Sequence, residues 1–455
     1  MFRIVSMKKE IDMNKRKIYF SFFMAFLFSF VLVVGHNLVD CGKSKLYDIA
    51  TTMEIILVIP FFLKTFSIFL SQQFNGICEK SSDSYKRRFF IYWICIFAAW
   101  IPMLLAFFPG NFTYDSTVQL GQVLDGAYTS HHPLVSTLFI GGLVKLGYKI
   151  TKNWNMGVLL HSLVQMLIMS GVFSYVVCFI SRRVTKKWIK YGSLAYFMFF
   201  PVHAVFAITT TKDVIFSAIV VLCVVELIKS FENEWNLRIG CVLIFLLFLF
   251  CIFRNNGKYA LIFSIPFIFF CCRQRRKQIL VVVITTLLLC SFHNVILEKV
   301  GVEKGNIREA YSIPIQQIGR TYNYKFDTLD PEEKQEIELL FLEEGRLKKY
   351  EARKADSLKD YFATDRLSKR DLKIYLKWGI QNPVEYIDAF LAMINGYFSF
   401  EDVLPDTETY RTYVEIRCAE YQDRTDIHLD SKCQFLYDFW YDYFQNAGWE
   451  NIPFV

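Results

Sequence analysis

The run "HPLVSTLFIGGLVKLGYKI", His132 to Ile150, decides how this chain is threaded. It is apolar, but it is also short, glycine-rich and punctuated by Lys145 and Lys149. Whether it crosses a membrane sets the side on which every later loop lies. That membranes are involved follows from composition: 54% of the 455 residues are hydrophobic, with 46 Phe and 25 Tyr, too apolar for a soluble chain of this length. Covering a hydrocarbon core of about 30 Å takes about 20 helical residues, and runs of this character fall at 18–35, 51–70, 89–108, 156–180, 191–208, 214–229, 239–253, 259–272 and 279–295. We therefore expect an all-α polytopic membrane protein with nine crossings.

Charge locates the loops. Residues 1–295 hold 30 Lys and Arg against 13 Asp and Glu, whereas 296–455 hold 21 against 30. The overall charge of +8 is an average over these two regions. The basic residues of the first region sit in short loops between spans, a membrane pattern that gives no support to nucleic-acid binding. The cationic N-terminus is expected in the cytoplasm, and the positive-inside rule then places "EKSSDSYKRR", "SRRVTKKWIK" and "RQRRKQ" there too. All three fall inside only if 132–150 does not cross, so this run is assigned as an amphipathic helix at the outer interface. The expected organisation is a transmembrane module over 1–295, with an outer loop and juxtamembrane helices at 109–150, followed by a mostly helical extracytoplasmic domain at 296–455.

This threading explains an oddity just upstream. The loop "FPGNFTYDSTVQLGQVLDGAYTSHHP", residues 108–133, contains two aspartates and two histidines but no lysine or arginine, as expected of a translocated loop. Asp115 follows a span directly. It serves either as a helix N-cap or as a general base at the membrane surface. "TTTKD" (209–213) puts Lys212 and Asp213 at the outer end of another span, where a snorkelling lysine and a cap are the plain alternatives. The functional alternative is a phosphate ligand, Lys212, with a second carboxylate that assists Asp115 or holds a divalent cation with it. "RNNGKY" (254–259) carries a turn at Asn256-Gly257. The turn leaves Arg254 unexplained, since a guanidinium runs against the charge distribution of an outer loop and suits bidentate phosphate binding. His131 and His132 have no partner at zinc-ligand spacing, so contact with a substrate is the better functional reading.

Most of the twelve cysteines lie in apolar runs and act there as small hydrophobes; Cys418 and Cys433 share the polar region, where a disulfide has no repeated framework behind it. No cleavage site follows the first apolar run, which reads as an uncleaved anchor. Charged relays at mid-membrane, expected of a proton-coupled transporter, are not evident. Near the end, "DPEEKQEIELLFLEEGRLKKYEARKADSLKDYFA" reads as a helix capped by Asp330, a second helical pattern breaks at Asn382-Pro383, and "FLYDFWYDYF" (435–444) suits core or interface packing over sugar stacking.

The order of "PGNFTYDSTVQ", "HHP", "TKD", "RNNG" and "IPIQQIGR" resembles that in the GT-C superfamily of integral-membrane glycosyltransferases, over roughly residues 89–400. The resemblance implies an enzyme of the cell membrane that moves a sugar from a polyprenyl-phosphate donor to an envelope glycan or lipid acceptor outside the cytoplasm, probed against two rivals: a lipid-linked-oligosaccharide flippase and a non-catalytic envelope scaffold. It implies that Asp115 acts on the acceptor hydroxyl, as base or through a metal, with Asp213 as second acidic element. Lys212, Arg254, Asn255 and Asn256 would bind the donor phosphate. Tyr114, Gln119, His131 and His132 would line the cavity, with Gln316, Gln317 and Arg320 shaping its outer wall. The only cofactor left open is a divalent cation at Asp115 and Asp213. Members of the superfamily continue into further spans where this chain ends in "GWENIPFV".

Overall fold

A computed structural model describes residues 2–71, 82–184, 186–272, 275–305, 307–395 and 424–446. Among them there is no strand, only three isolated bridges, and the protein is an all-α polytopic membrane protein. Cys418 and the closing "GWENIPFV" lie outside the described residues. The chain forms two compact units: residues 1–73 cluster with 306–408, and residues 74–305 with 409–447. A cut at residue 295 is therefore not where the contacts divide.

In chain order, the first unit begins with the antiparallel pair α1 (Phe2–Cys41) and α2 (Ile49–Ser71). The second unit holds α3 (Ser82–Ala106), α4 (Tyr114–Asp125), α5 (Leu134–Thr137) continued through a π turn into α6 (Leu143–Thr151), and α7 (Trp154–Ser181). It continues with α8 (Lys187–Phe199), α9 (Pro201–Ala207), α10 (Lys212–Glu232), α11 (Leu237–Phe253), α12 (Gly257–Cys271) and α13 (Arg276–Lys299). The first unit resumes with α14 (Ser312–Tyr324), α15 (Pro331–Glu338), α16 (Asp356–Lys359), α17 (Lys369–Gln381) and α18 (Pro383–Ile394). The second closes with α19 (Gln434–Asn446).

The second unit is a bundle with two chemically different ends. At one end Arg182 lies 5.3 Å from the Tyr85 ring, Arg183 Nε donates to Glu232 at 3.1 Å, and Arg275 donates to Asn233 O at 3.0 Å. These contacts gather the start of α3, the ends of α7 and α10 and the start of α13. At the other end Asn111 N donates to Ile208 O at 2.9 Å, Glu303 N to Tyr128 O at 2.9 Å, and Gly305 N to Ser130 Oγ at 2.7 Å. The 21 residues of α10 join the two ends over about 31 Å, the thickness of a bilayer core. Core packing comes from Ile96, Trp100, Met103, Met166 and Phe173 between α3 and α7. Leu436, Tyr437 and Trp440 of α19 pack against that cluster, so the aromatic run at 435–444 covers the bundle.

Among the described residues, six helical stretches are long and apolar enough to cross a membrane: 21–38, 85–106, 134–151, 154–181, 212–232 and 276–299, with 237–253 and 257–269 shorter but apolar. Residues 134–151 thus qualify on composition. Their connectivity says otherwise: the run leaves the loop end at His132 and turns through Lys152 and Asn153 into α7, packing back along it. Gln165 of α7 is level with Thr209, so the preceding eleven residues of α7 extend about 16 Å beyond that level. Both ends of 134–151 therefore lie at the loop end of the bundle. The backbones close up at two glycines; a Cβ on Gly147 would come within 2.6 Å of Gly157 Cα.

Two expectations need correction. The run 191–208 is not one helix: Phe200 is extended (φ −73°, ψ 114°) and Pro201 starts α9, because proline has no N–H to give and its ring excludes the helical conformation from the residue before it. Nor do residues 330–363 form one helix. Asp330 does cap, accepting from Glu332 N and Glu333 N, but α15 stops at Glu338. Leu340, Phe341 and Phe362 are buried together, and Leu342 N bonds Tyr361 O at 2.8 Å. That burial outweighs the local preference for continuing a solvated helix. The break at Asn382-Pro383 stands where the sequence places it.

Candidate functional site

The four charged residues singled out near the spans' outer ends meet at the loop end of the second unit. Asp115 is not a cap. Thr113 occupies the N-cap position of α4, and Asp115, in the first turn, directs Oδ2 to Lys212 Nζ at 2.6 Å. Lys212 Nζ also lies 3.4 Å from His132 Nδ1. In α10 the cap is Thr211, whose hydroxyl accepts from Asp213 N. Asp213 is thereby released to bind Arg254, whose guanidinium also rests 5.6 Å from the Phe216 ring. The result is two ion pairs carried by adjacent residues of α10.

Lys212 and Asp115 are 18% and 26% exposed, Arg254 and Asp213 36% and 46%. The site is thus partly shielded at the first pair and open at the second. The partial shielding strengthens the charges relative to a free surface pair, while the openness leaves guanidinium nitrogens accessible to an incoming anion.

The register that joins α4 to α10 is built from backbone and small hydroxyls. Thr210 N donates to Asn111 O at 2.8 Å, Thr113 Oγ1 donates to Thr210 O at 2.7 Å, and Ser116 Oγ donates to the same carbonyl. Gly110 has φ +127°, and a Cβ there would meet Ile208 O at 2.8 Å and collide with Ser162 Oγ; only glycine fits. From α7, Gln165 Nε2 donates to Phe206, Ala207 and Thr209 carbonyls, the last at 2.7 Å. These positioning groups were not recognised as such in the sequence; a lone buried glutamine in an apolar span is the signal that marks one of them.

On the Arg254 side, Gly257 N closes a turn onto Arg254 O at 2.9 Å. A Cβ on Gly257 would sit 2.7 Å from Phe250 O, which explains the glycine of "RNNG". Asn255 donates to Ser130 O at 2.9 Å and His131 O at 3.3 Å, tying this turn to the histidine loop. His131 and His132 stand edge to face at 4.6 Å. Asn256 is exposed at the start of α12, with no capping bond from its side chain.

Of the remaining expected residues, Gln119, Gln316, Gln317 and Arg320 have partners within their own units. Gln119 is fully buried and donates to Ser136 Oγ at 3.1 Å, joining α4 to α5. Tyr114 opens α4, and its side chain is outside the described residues. Gln316, Gln317 and Arg320 belong to the first unit. There Gln316 donates to Lys354 O at 3.1 Å, and Gln317 accepts from Tyr375 Oη at 2.6 Å. Arg320 is held by Glu385, Asp388 and Gly42 O, at 3.1, 3.2 and 2.7 Å. Among the described residues no three His, Cys, Asp or Glu side chains converge as metal ligands.

Residues 124–421 match the model of a family of unknown function, DUF6020. The chain belongs to this family. The matched segment includes the histidine loop, Lys212, Asp213 and Arg254, and begins nine residues after Asp115. No curated protein and no solved structure matches the chain.

Proposed function

We propose that this DUF6020 member is a membrane glycosyltransferase that moves a sugar from a polyprenyl-phosphate donor to a cell-envelope acceptor on the extracytoplasmic side. The observation that carries the proposal is the meeting of Asp115, Lys212, His132, Asp213 and Arg254 at the bundle end opposite the cationic loops. A lipid-linked donor stays in the bilayer with its phosphate at the surface, so its chemistry requires cations at the ends of spanning helices and a carboxylate beside them.

In this reading Asp115 accepts the proton of the acceptor hydroxyl, whose oxygen attacks the anomeric carbon as the bond to the lipid phosphate breaks. The configuration inverts. The charge that develops on the departing phosphate is met by Lys212 and by the guanidinium nitrogens of Arg254 that Asp213 leaves available. The 2.6 Å spacing of Asp115 and Lys212 brings proton acceptance and leaving-group stabilisation within the reach of one sugar ring. His132, with Nδ1 3.4 Å from the same ammonium, helps to hold it, and Asp213 orients Arg254.

The test is transfer from defined polyprenyl-phosphate sugars by purified wild type and Asp115→Asn. A positioned general base contributes typically 10²–10⁴-fold, and a loss of about that size is expected. Undiminished transfer by Asp115→Asn would remove that carboxylate from the mechanism, and donor translocation without glycoside formation would favour a flippase.

A further inference from the structure

A groove opens at the other end of the bundle. Between α11 and α13, at the end marked by Arg183 and Arg275, there is a cavity of about 390 Å³ whose lining includes Trp235, Gly240, Ile244, Lys277, Gln278 and Val281. On α11 the lining positions fall on one helical face, from Leu237 through Gly240 and Cys241 to Ile244, so the groove runs about 10 Å along the axis. Its composition changes along that length. Lys277 and Gln278 stand at the helix starts, and Ile244, Val281 and Val282 lie deeper.

Gly240 makes the floor. It is buried, and a Cβ there would touch only the Trp235 ring, at 3.6 Å. Lys277 is the charged residue of the lining, and Arg238, Arg275 and Arg276, with Glu234, flank lining residues in the sequence. Glu232 is already paired with Arg183, Arg275 with Asn233 O, and Arg276 stacks 5.3 Å from the Phe269 ring. Lys277 is exposed and has no ion pair among the described residues. The positive ends of the α11 and α13 dipoles add to the same field.

A groove that is cationic at the membrane surface and apolar toward the bilayer centre has the polarity of a single lipid. We propose that it binds an anionic phospholipid of the leaflet at the cationic end, with the phosphate at Lys277 and one acyl chain over Gly240. Basic pockets between spanning helices recognise anionic headgroups in this way. The site is independent of the proposed transferase chemistry, which is placed at the opposite end.

Native mass spectrometry of the full chain in detergent tests it, using phosphatidylglycerol and phosphatidylcholine with identical acyl chains. Phosphatidylglycerol is expected to bind in preference. Lys277→Gln should weaken it about fivefold, the effect of one cation near the surface, and Gly240→Leu should lower occupancy by filling the floor. Lys190→Gln, at the same end but outside the groove, should leave binding unchanged. Equal binding of the two lipids, or equal losses in Lys190→Gln and Lys277→Gln, would overturn the proposal. If Gly240→Leu folds poorly, the comparison of the two lysine variants still decides.

Discussion

Replacing Arg320 with methionine should destabilise the first unit severely, because it leaves Asp388 buried without a cation and Glu385 with only the more distant Lys325, at 3.7 Å. The guanidinium is 0% exposed, and it is the bonded partner of Glu385 and Asp388, whose side chains are 7% and 1% exposed. Its Nη2 also donates to Gly42 O at 2.7 Å, at the end of α1, while Asp388 takes the Ser44 hydroxyl. Breaking a buried pair by removing one partner costs about 3–5 kcal/mol, since the remaining charge is left without compensation. For a unit of this size each kcal/mol shifts Tm by roughly 2–4 °C, so Arg320→Met should lower the unfolding midpoint by roughly 6–20 °C. The assay is fluorescence-detected thermal unfolding in detergent. A triple variant, Arg320→Met with Glu385→Gln and Asp388→Asn, removes all three charges and should recover much of the loss. If Arg320→Met melts within about 2 °C of wild type, the network contributes little and the reasoning fails.

Gly157→Val should cost about 1–3 kcal/mol or more by overpacking. A Cβ at Gly157 already collides with Val144 O, and the two helices have no room to separate without losing Val144 and Val158 from their core; unfolding midpoints of Gly157→Val and Gly157→Ala against wild type check this. Topology is testable by impermeant thiol labelling of intact cells in a cysteine-depleted background. Asp125→Cys and Lys187→Cys, both at exposed positions, should report opposite sides, and labelling of both from one side would refute the assignment of 134–151 as a run that returns to its own side.

The site was legible in the sequence to a specific extent. Asp115, Lys212 and Asp213 stood out as charges at span ends with plain alternatives as caps or snorkelling groups, and Arg254 alone ran against the charge distribution of an outer loop. Their pairing was not legible. It depends on the register between residues 111–113 and 208–210, set by backbone hydrogen bonds between segments nearly a hundred residues apart. The capping alternatives for Asp115 and Asp213 fell for the same reason: Thr113 and Thr211 hold the cap positions, leaving the carboxylates to long-range partners. Gln119 and Arg320 show the converse. Both are placed in the cavity by the resemblance, and both are buried and join helices within their own units, contacts that no local pattern announces.

Hydrophobic run length, the asymmetry of the loop charges and proline placement by themselves determined an all-α membrane bundle and the break before Pro383, because each acts over a turn or a bilayer's thickness. Even the division of α8 from α9 was written locally, at Phe200-Pro201. Only tertiary structure decided that α1 and α2 join residues 306–395, through Arg320, Asp388 and the Gly42–Ser44 turn. Only it decided that residues 330–363 fold back on themselves around Phe341 and Phe362. The physical reason is the same in both cases: burying charge in pairs and apolar area in clusters is worth more than local helix propensity, and the partners that make burial possible lie far away in the chain.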